Sequence, residues 1–129
     1  MSLVHLVIVL ALAQYLYFGS LVGKARGRFQ VSAPAVTGNE GFERFYRVQM
    51  NTLELLIALL PALVIFATYV SPQWAALLGL VYLAGRFQYA YSYVANPRQR
   101  GLGFGLSIVP ILVLLAGGLI GALRDAFSG

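Results

Sequence analysis

Long apolar runs, broken by short polar segments, dominate the pattern of this chain of 129 residues. An α-helix rises about 1.5 Å per residue, so roughly 20 apolar residues are enough to cross a hydrocarbon core of about 30 Å. The runs predict four such helices, at about residues 3–23, 40–70, 73–95 and 102–123. The predicted fold is therefore an all-α, integral membrane four-helix bundle that forms a single domain over residues 1–129.

The segments between the runs carry residues that end helices. Residues 24–41 combine three cations with proline and glycine, which predicts an interfacial loop. A tight turn is predicted at residues 71–73, since Pro72 suits the first position of a helix. Asn96 is expected to end the third helix, because a residue before proline, here Pro97, disfavours the α region.

Composition excludes a soluble domain and several kinds of chemistry. Hydrophobic residues make up 60% of the chain and charged residues 10%, against roughly 25% charged in an average globular domain. The sequence has no cysteine and a single histidine, His5, which excludes thiolate and histidine metal clusters, so no metal site is predicted. The net charge of +5 does not predict a nucleic-acid partner, because the charges lie at the ends of apolar runs.

The cations gather on one side of the predicted bundle. Four crossings place loops 24–41 and 96–101 on the same side as the start of the second helix. That side holds Lys24, Arg26, Arg28, Arg44, Arg47, Arg98 and Arg100. The positive-inside rule therefore predicts that both loops are cytoplasmic and that both termini lie on the opposite side.

Polar residues also occur inside the second helix, where they form a stripe. Arg44, Arg47, Asn51 and Glu54 are spaced by 3, 4 and 3 residues, which places them within about 80° of one helix face. Glu54 is expected below the headgroups, where an ionised carboxylate costs about 2.5–3.5 kcal/mol unless it is paired. A residue this costly indicates either a functional site or a structural ion pair.

A matching stripe follows the third helix. Tyr82, Arg86, Tyr89, Tyr93 and Asn96 are spaced by 4, 3, 4 and 3 residues and also lie within about 80°. Two polar stripes on neighbouring helices are expected to face each other or a partner subunit. Together they predict a pocket that opens toward the basic side and suits a charged, peptide-like ligand.

Structural explanations compete with this functional one. Arg44 and Arg47 are also explained as anchors that extend their charges to the headgroups. Glu54 and Arg86 are also explained as an ion pair that holds the bundle together. Gln49 faces away from the stripe, and contact with a neighbouring subunit would explain it.

The segment 42–54, FERFYRVQMNTLE, resembles the signature F-E-R-x-x-R-x-x-x-N-x-x-E of the MAPEG proteins, the membrane-associated proteins of eicosanoid and glutathione metabolism. The stretch from Arg86 through Arg100 is also similar to that family. The resemblance implies a four-helix transmembrane bundle that assembles as a homotrimer, with sites between subunits and with glutathione as co-substrate.

The same resemblance implies roles for individual residues. Arg100 falls where the leukotriene C synthase branch carries the arginine that activates the glutathione thiol, so it is the candidate catalytic residue. The candidates for binding glutathione, by the resemblance and by their place on the stripes, are Arg26, Arg47, Gln49, Asn51, Glu54, Arg86, Tyr89 and Tyr93. Two positions depart from that branch: Leu55 stands in place of a ligand tyrosine, and Gly27 in place of a second consecutive arginine.

The implied function is enzymatic, namely conjugation of glutathione to lipophilic electrophiles or reduction of lipid hydroperoxides in the bilayer. Two alternatives stay open. The same family contains a lipid-binding scaffold without transferase activity. A small proton-coupled exporter would also explain one carboxylate, Glu54, inside a four-span bundle.

Overall fold

The computed structural model describes residues 1–128. Its elements are α1 (Ser2–Phe29), α2 (Glu40–Tyr69), α3 (Pro72–Ala95), a 3-10 turn (Pro97–Gln99) and α4 (Gly101–Phe127). No strand occurs within the described range. The predicted all-α four-helix architecture is confirmed, and only Gly129, the last residue of the predicted domain, lies outside the description.

Side chains at their first turns fix where α2 and α3 begin. Asn39 precedes α2, and its side-chain oxygen accepts a hydrogen bond from the backbone N–H of Phe42 at 3.0 Å. Ser71 does the same for α3, where its hydroxyl accepts from the backbone N–H of Trp74 at 3.2 Å. Each cap satisfies a donor that the helix itself leaves free. The turn predicted at residues 71–73 is therefore one residue shorter, since Pro72 already belongs to α3.

The first helix is longer than the sequence predicts. It ends at Phe29 instead of residue 23, so the cations of its last two turns lie on a helix and not in a loop. Lysine and arginine are good helix formers, and cations are favoured near the negative end of the helix dipole. Gln30, with a φ of 58°, stops the helix in the left-handed conformation. The connection to α2 thus covers only residues 30–39.

Length and composition make three segments suitable for crossing a membrane, namely Ser2–Phe29, Glu40–Tyr69 and Pro97–Phe127. The third helix is not among them, because it carries Arg86, two glutamines and four tyrosines. It is nevertheless joined to α2 by only two residues and packs along both α2 and α4. The third helix therefore crosses the same apolar layer as α2 and α4.

Glycines let α3 and α4 pack closely at the end of the bundle where α4 begins. A Cβ atom on Gly85 would lie 2.6 Å from the carbonyl carbon of Leu106, and one on Gly103 would collide with the backbone of Tyr89. Only glycine permits such a close approach between helix backbones. This contact holds the first turns of α4 beside the polar stripe of α3, which positions the site described next.

Candidate functional site

A polar cavity of about 520 Å³ lies between α2, α3 and α4, at the end of the bundle that holds the basic loops. Its lining residues are Arg47 and Asn51 from α2, Tyr89 and Tyr93 from α3, Phe104 from α4, and Arg100, which directly precedes α4. Five of these six residues belong to the set that the sequence predicts. The two polar stripes do face each other, and the start of α4 closes the third side.

Arg47 is paired with the carboxylate of the same stripe. Its Nη2 donates to Oε1 of Glu54 at 2.9 Å, across two turns of α2. Both side chains are about half exposed, at 49% for Arg47 and 57% for Glu54. The ion pair between Glu54 and Arg86, considered from the sequence, is therefore not formed. An exposed pair is held only weakly, so each partner is available to a ligand of opposite charge.

Arg86 lies deeper, with no exposed surface at all. Its Nε donates to the hydroxyl of Ser107 at 2.8 Å, and its Nη1 donates to Oδ1 of Asn51 at 2.8 Å and to the hydroxyl of Thr52 at 3.2 Å. Its guanidinium carbon also lies 4.3 Å from the centroid of the Tyr89 ring. These partners are all neutral, and no carboxylate within residues 1–128 pairs with this cation.

The contact with Arg86 fixes the orientation of Asn51. A guanidinium has only donors, so the atom of Asn51 that it contacts must be the carbonyl oxygen. The NH2 group then occupies the other side of the amide, the side left for the cavity. Asn51 thus presents donors to the cavity and suits a ligand that carries a carbonyl or carboxylate oxygen there.

Aromatic rings form the wall opposite Arg47. The rings of Tyr89 and Tyr93 are stacked, with centroids 5.4 Å apart and planes 18° apart, and Phe104 lies 6.4 Å from Tyr89. Phe104 is not among the residues predicted from the sequence. The signal was present, because residue 104 is one turn after Arg100 and shares its helix face.

Four of the eight predicted glutathione contacts do not line this cavity. Glu54 and Arg86 are bonded to lining residues, whereas Arg26 and Gln49 lie away from it. The Nη1 atom of Arg26 donates to the carbonyl of Ala35 at 2.8 Å, and its guanidinium lies over the ring of Phe42. Gln49 packs against α1, where its side-chain nitrogen occupies the space beside Gly19. Within one chain, Arg26 orders the connection between α1 and α2, and Gln49 fills the contact between those helices.

Two other members of the polar stripes are occupied by structural contacts. Arg44 forms an ion pair with Glu40 at 2.8 Å and donates to the carbonyl of Val94 at 3.1 Å, which ties α2 to the end of α3. Asn96 accepts from the backbone N–H of Arg98 at 3.1 Å and starts the 3-10 turn. Arg44 is thus bonded within the chain between α2 and the end of α3, whereas Arg47 lines the cavity.

A second polar space of about 420 Å³ adjoins the cavity and shares Arg47 and Tyr93 with it. It reaches the connection between α1 and α2 through Val36 and Thr37. This space gives the cavity a route to the basic end of the bundle. As for metals, residues 1–128 contain no group of three or more metal-ligating His, Cys, Asp or Glu side chains.

Taken together, the fold and the cavity define a helical membrane protein with a cationic, tyrosine-lined site within the bundle. Its sequence matches the model of the MAPEG family over residues 4–120, and the chain belongs to that family. It is 45% identical over 118 residues to an uncharacterized protein of Synechocystis, a match that covers 92% of this chain and 86% of the relative.

Two named relatives are similar over most of their length. Human microsomal glutathione S-transferase 2 is 41% identical over 120 residues, which are 93% of this chain and 80% of the human protein. Bovine leukotriene C4 synthase is 36% identical over 107 residues, which are 83% of this chain and 71% of the bovine protein. These matches extend across the helices that build the cavity.

Proposed function

We propose that the protein is a glutathione transferase of the membrane, which joins glutathione to lipophilic electrophiles and also reduces lipid hydroperoxides. One observation carries the proposal: Arg47 of α2 and Arg100, which directly precedes α4, line the same cavity as the Asn51 amide. Two relatives, human microsomal glutathione S-transferase 2 and bovine leukotriene C4 synthase, support the same activity.

The charges of the site match those of glutathione, a peptide with two carboxylates, one ammonium group and a thiol. Arg47 suits a carboxylate, because a guanidinium forms two parallel hydrogen bonds with it. Glu54 suits the ammonium group, and Asn51 offers its NH2 to a carbonyl oxygen. In this arrangement a carboxylate of glutathione replaces Glu54 at Arg47, and its ammonium group replaces Arg47 at Glu54. This exchange explains why an exposed ion pair lies at this depth.

Arg100 is the proposed activator of the thiol. A free thiol has a pKa of about 8.5 and is mostly protonated at neutral pH, whereas the thiolate is the nucleophile. A guanidinium beside the sulfur favours the anion, and a drop of two pKa units corresponds to about 2.7 kcal/mol. The thiolate sulfur then attacks the electrophilic carbon and forms a C–S bond, while the leaving group departs with the bonding electron pair.

The exposed part of the site indicates assembly. Half of the Arg47–Glu54 pair faces outward from a single chain, although α2 is apolar enough to span the bilayer. Lipid is a poor environment for an ion pair, so the pair is expected to face a water-filled space that a neighbouring subunit separates from the lipid. We propose a homotrimer with the basic end in the cytoplasm, in which Arg26 and Gln49 approach the site of a neighbouring subunit.

Purified protein tests the proposal with two substrates, a generic aryl halide and a lipid hydroperoxide. We expect Arg100→Ala to lower the rate by about 100-fold or more, a typical loss when one charge-stabilising donor is removed. Arg124→Ala, at the far end of α4, is the matched control. The mechanism fails if the wild type shows neither activity, or if Arg100→Ala keeps the full rate.

Calorimetry separates the enzyme from the scaffold alternative. Heat with glutathione supports the enzyme, whereas no heat with glutathione and saturable binding of a fatty acid would select the scaffold. The exporter alternative needs a carboxylate that is free to take up protons, and Glu54 is instead bonded to Arg47. Proton-driven uptake of a cation into vesicles, abolished by Glu54→Gln, would revive it.

A further inference from the structure

A second recess, the α1–α3 groove, lies on another side of the bundle from the polar cavity. It has a volume of about 290 Å³, and its lining residues are Tyr17, Phe18, Leu21, Phe45, Val48, Phe87, Ala90, Tyr91, Val94 and Ala95. It shares none of them with the polar cavity. The groove is therefore a separate feature that the proposed transferase chemistry does not use.

The lining of the groove suits a hydrocarbon chain. Apart from the two tyrosines, every side chain in it is a hydrocarbon, and Tyr17 and Tyr91 are 50% and 77% exposed, at the rim. Sites for drug-sized ligands usually measure about 300–1,000 Å³, so this groove is at the small end of that range. A peptide would bury its backbone polar groups there without hydrogen-bond partners.

One end of the groove continues into positive charge. Tyr17, Leu21, Lys24 and Arg28 are spaced by 4, 3 and 4 residues on α1, so they lie within about 60° of one helix face. Both cations are exposed, and neither forms a salt bridge with any residue of the described chain, so both charges are free of an anionic partner. The guanidinium carbon of Arg28 lies 5.0 Å from the centroid of the ring of its neighbour Phe29, a contact that leaves its charge unneutralised. A ligand whose apolar part lies along Tyr17 and Leu21 therefore meets two free cations one to two turns further on.

Contacts at that end place it near the polar boundary of the bundle. Arg44 donates to the carbonyls of Val94 and Ala95, two groove residues, at 3.1 and 3.3 Å. These carbonyls belong to the last turn of α3, where the helix leaves them without partners of its own. The groove thus extends from the apolar middle of the bundle to a charged rim. A lipid in one leaflet has the same change from an apolar chain to a polar headgroup.

We propose that the α1–α3 groove binds one acyl chain of an anionic phospholipid from the surrounding leaflet, with the phosphate beside Lys24 and Arg28. The apolar lining selects the chain, and the two free cations select the charge of the headgroup. This site is independent of the proposed glutathione site, since neither cation lines the polar cavity.

Native mass spectrometry of the detergent-purified protein tests the headgroup. Phosphatidylglycerol and phosphatidylcholine with identical chains are titrated separately. We expect phosphatidylglycerol to bind about 25-fold more tightly, or about five-fold for each cation near an anionic headgroup. Lys24→Gln and Arg28→Gln should each lower the preference about five-fold, whereas Arg124→Gln, at the opposite end of the bundle, should leave it unchanged. Equal affinity of the wild type for both lipids overturns the proposal.

Filling the groove tests the acyl chain. We expect Ala90→Trp to remove one bound phosphatidylglycerol per chain, and the control Leu119→Trp, on a lipid-exposed face of α4, to remove none. An unchanged lipid count in a folded Ala90→Trp protein contradicts the site. If that variant does not fold, the two glutamine variants decide. Palmitate that binds as tightly as phosphatidylglycerol would make the occupant a free fatty acid and overturn the phospholipid.

Glutathione calorimetry on the same variants keeps the two proposals apart. Lys24, Arg28 and Ala90 do not line the polar cavity, so their variants should bind glutathione as the wild type does. A variant that loses the lipid preference but binds glutathione normally therefore reports on the groove alone. If the wild type gives no heat with glutathione, only the proposed transferase function is contradicted.

Discussion

Arg47 and Arg86 serve the same cavity from facing helices, yet their surroundings are opposite. Arg86 has no exposed surface and is bonded to three neutral side chains, whereas Arg47 is half exposed and bonded to a half-exposed carboxylate. Hydrogen bonds from Nε and Nη1 hold the buried guanidinium in one position, although its Nη2 has no partner within the described residues. An exposed pair is screened and weak, so it can exchange partners. The site therefore combines two parts. Arg86, the rigid element, orients Asn51, and Arg47 with Glu54, the loose pair, is available to a ligand.

The largest effect is expected when the rigid element is removed. Arg86→Met should lower glutathione affinity about 100-fold, which corresponds to ~2.7 kcal/mol, because Asn51 loses the donor that holds its amide and the site loses a cation. The free energy of unfolding should fall by less than about 2 kcal/mol, because three hydrogen bonds are lost while the cost of burying an unpaired cation is removed. Calorimetry and thermal melting by circular dichroism measure the two effects, with Arg124→Met as control.

A large loss of stability without a loss of affinity in Arg86→Met would contradict the role assigned to Arg86. A fall of the melting temperature by more than about 10 °C, with glutathione affinity kept, would mean that the buried arginine holds the bundle and does not order the site. The size of that limit follows from the few degrees per kcal/mol that are usual for a domain of this length.

The second prediction exchanges the atom that Asn51 shows to the cavity. Asn51→Asp gives Arg86 an anionic partner, so the free energy of unfolding should rise by about 1–2 kcal/mol. Glutathione affinity should fall about 30-fold, because the NH2 donor is replaced by an acceptor. Chemical denaturation and calorimetry measure the two changes, and Thr52→Ser, which keeps the hydroxyl bonded to Arg86, is the control. Normal glutathione binding by the aspartate variant would show that Asn51 donates nothing to the ligand.

The third prediction concerns the loose pair. Glu54→Gln should change the free energy of unfolding by less than about 1 kcal/mol, because an exposed ion pair contributes little. It should lower glutathione affinity about 10-fold, yet leave the affinity for a glutathione analogue without the amino group unchanged. Competition binding with both ligands measures the difference. An equal loss for both ligands would mean that Glu54 acts only by positioning Arg47.

The long apolar runs predicted α1, α2 and α4, because membrane helices must be both long and apolar. The bounds of α3, which is more polar, were indicated by Pro72 and by Asn96 before Pro97. The end of α1 could not be predicted in the same way. Cations such as Lys24, Arg26 and Arg28 occur both in helices and in loops, so they do not indicate where the helix ends. The residue that ends it in the left-handed conformation is Gln30, a residue type that does not predict a helix end. Boundaries depend on such local contacts more than on periodicity.

The sequence was enough to predict which residues form the site, but not which of their side chains are bonded to each other. Helical spacing was enough to place Arg47 and Asn51 on one face and Tyr89 and Tyr93 on another. The partner of each polar group depends on the register between helices, which the close contact of α3 and α4 at Gly85 and Gly103 sets. No spacing rule within one helix predicts that register. The expected contacts at Arg26 and Gln49 came from the family resemblance and concern an assembly that one chain does not contain.

Ser107 provides the smallest and most discriminating test, because it contacts only the rigid element. Its hydroxyl accepts from Nε of Arg86 and donates to the carbonyl of Gly103 at 2.7 Å. Ser107→Ala removes both hydrogen bonds, so it should cost about 1–2 kcal/mol of unfolding free energy and change glutathione affinity less than two-fold. The affinity is kept because Nη1 of Arg86 still holds Asn51.

Ser92→Ala, which removes an exposed hydrogen bond with Gln88, is the control for Ser107→Ala and should change neither quantity measurably. Denaturation and calorimetry on the two variants give the comparison. If Ser107→Ala lowers glutathione affinity as much as Arg86→Met, then α4, and not the contact with Asn51, orients the guanidinium. The rigid element would then extend across three helices, and the first turns of α4 would set both Arg86 and the candidate catalytic Arg100.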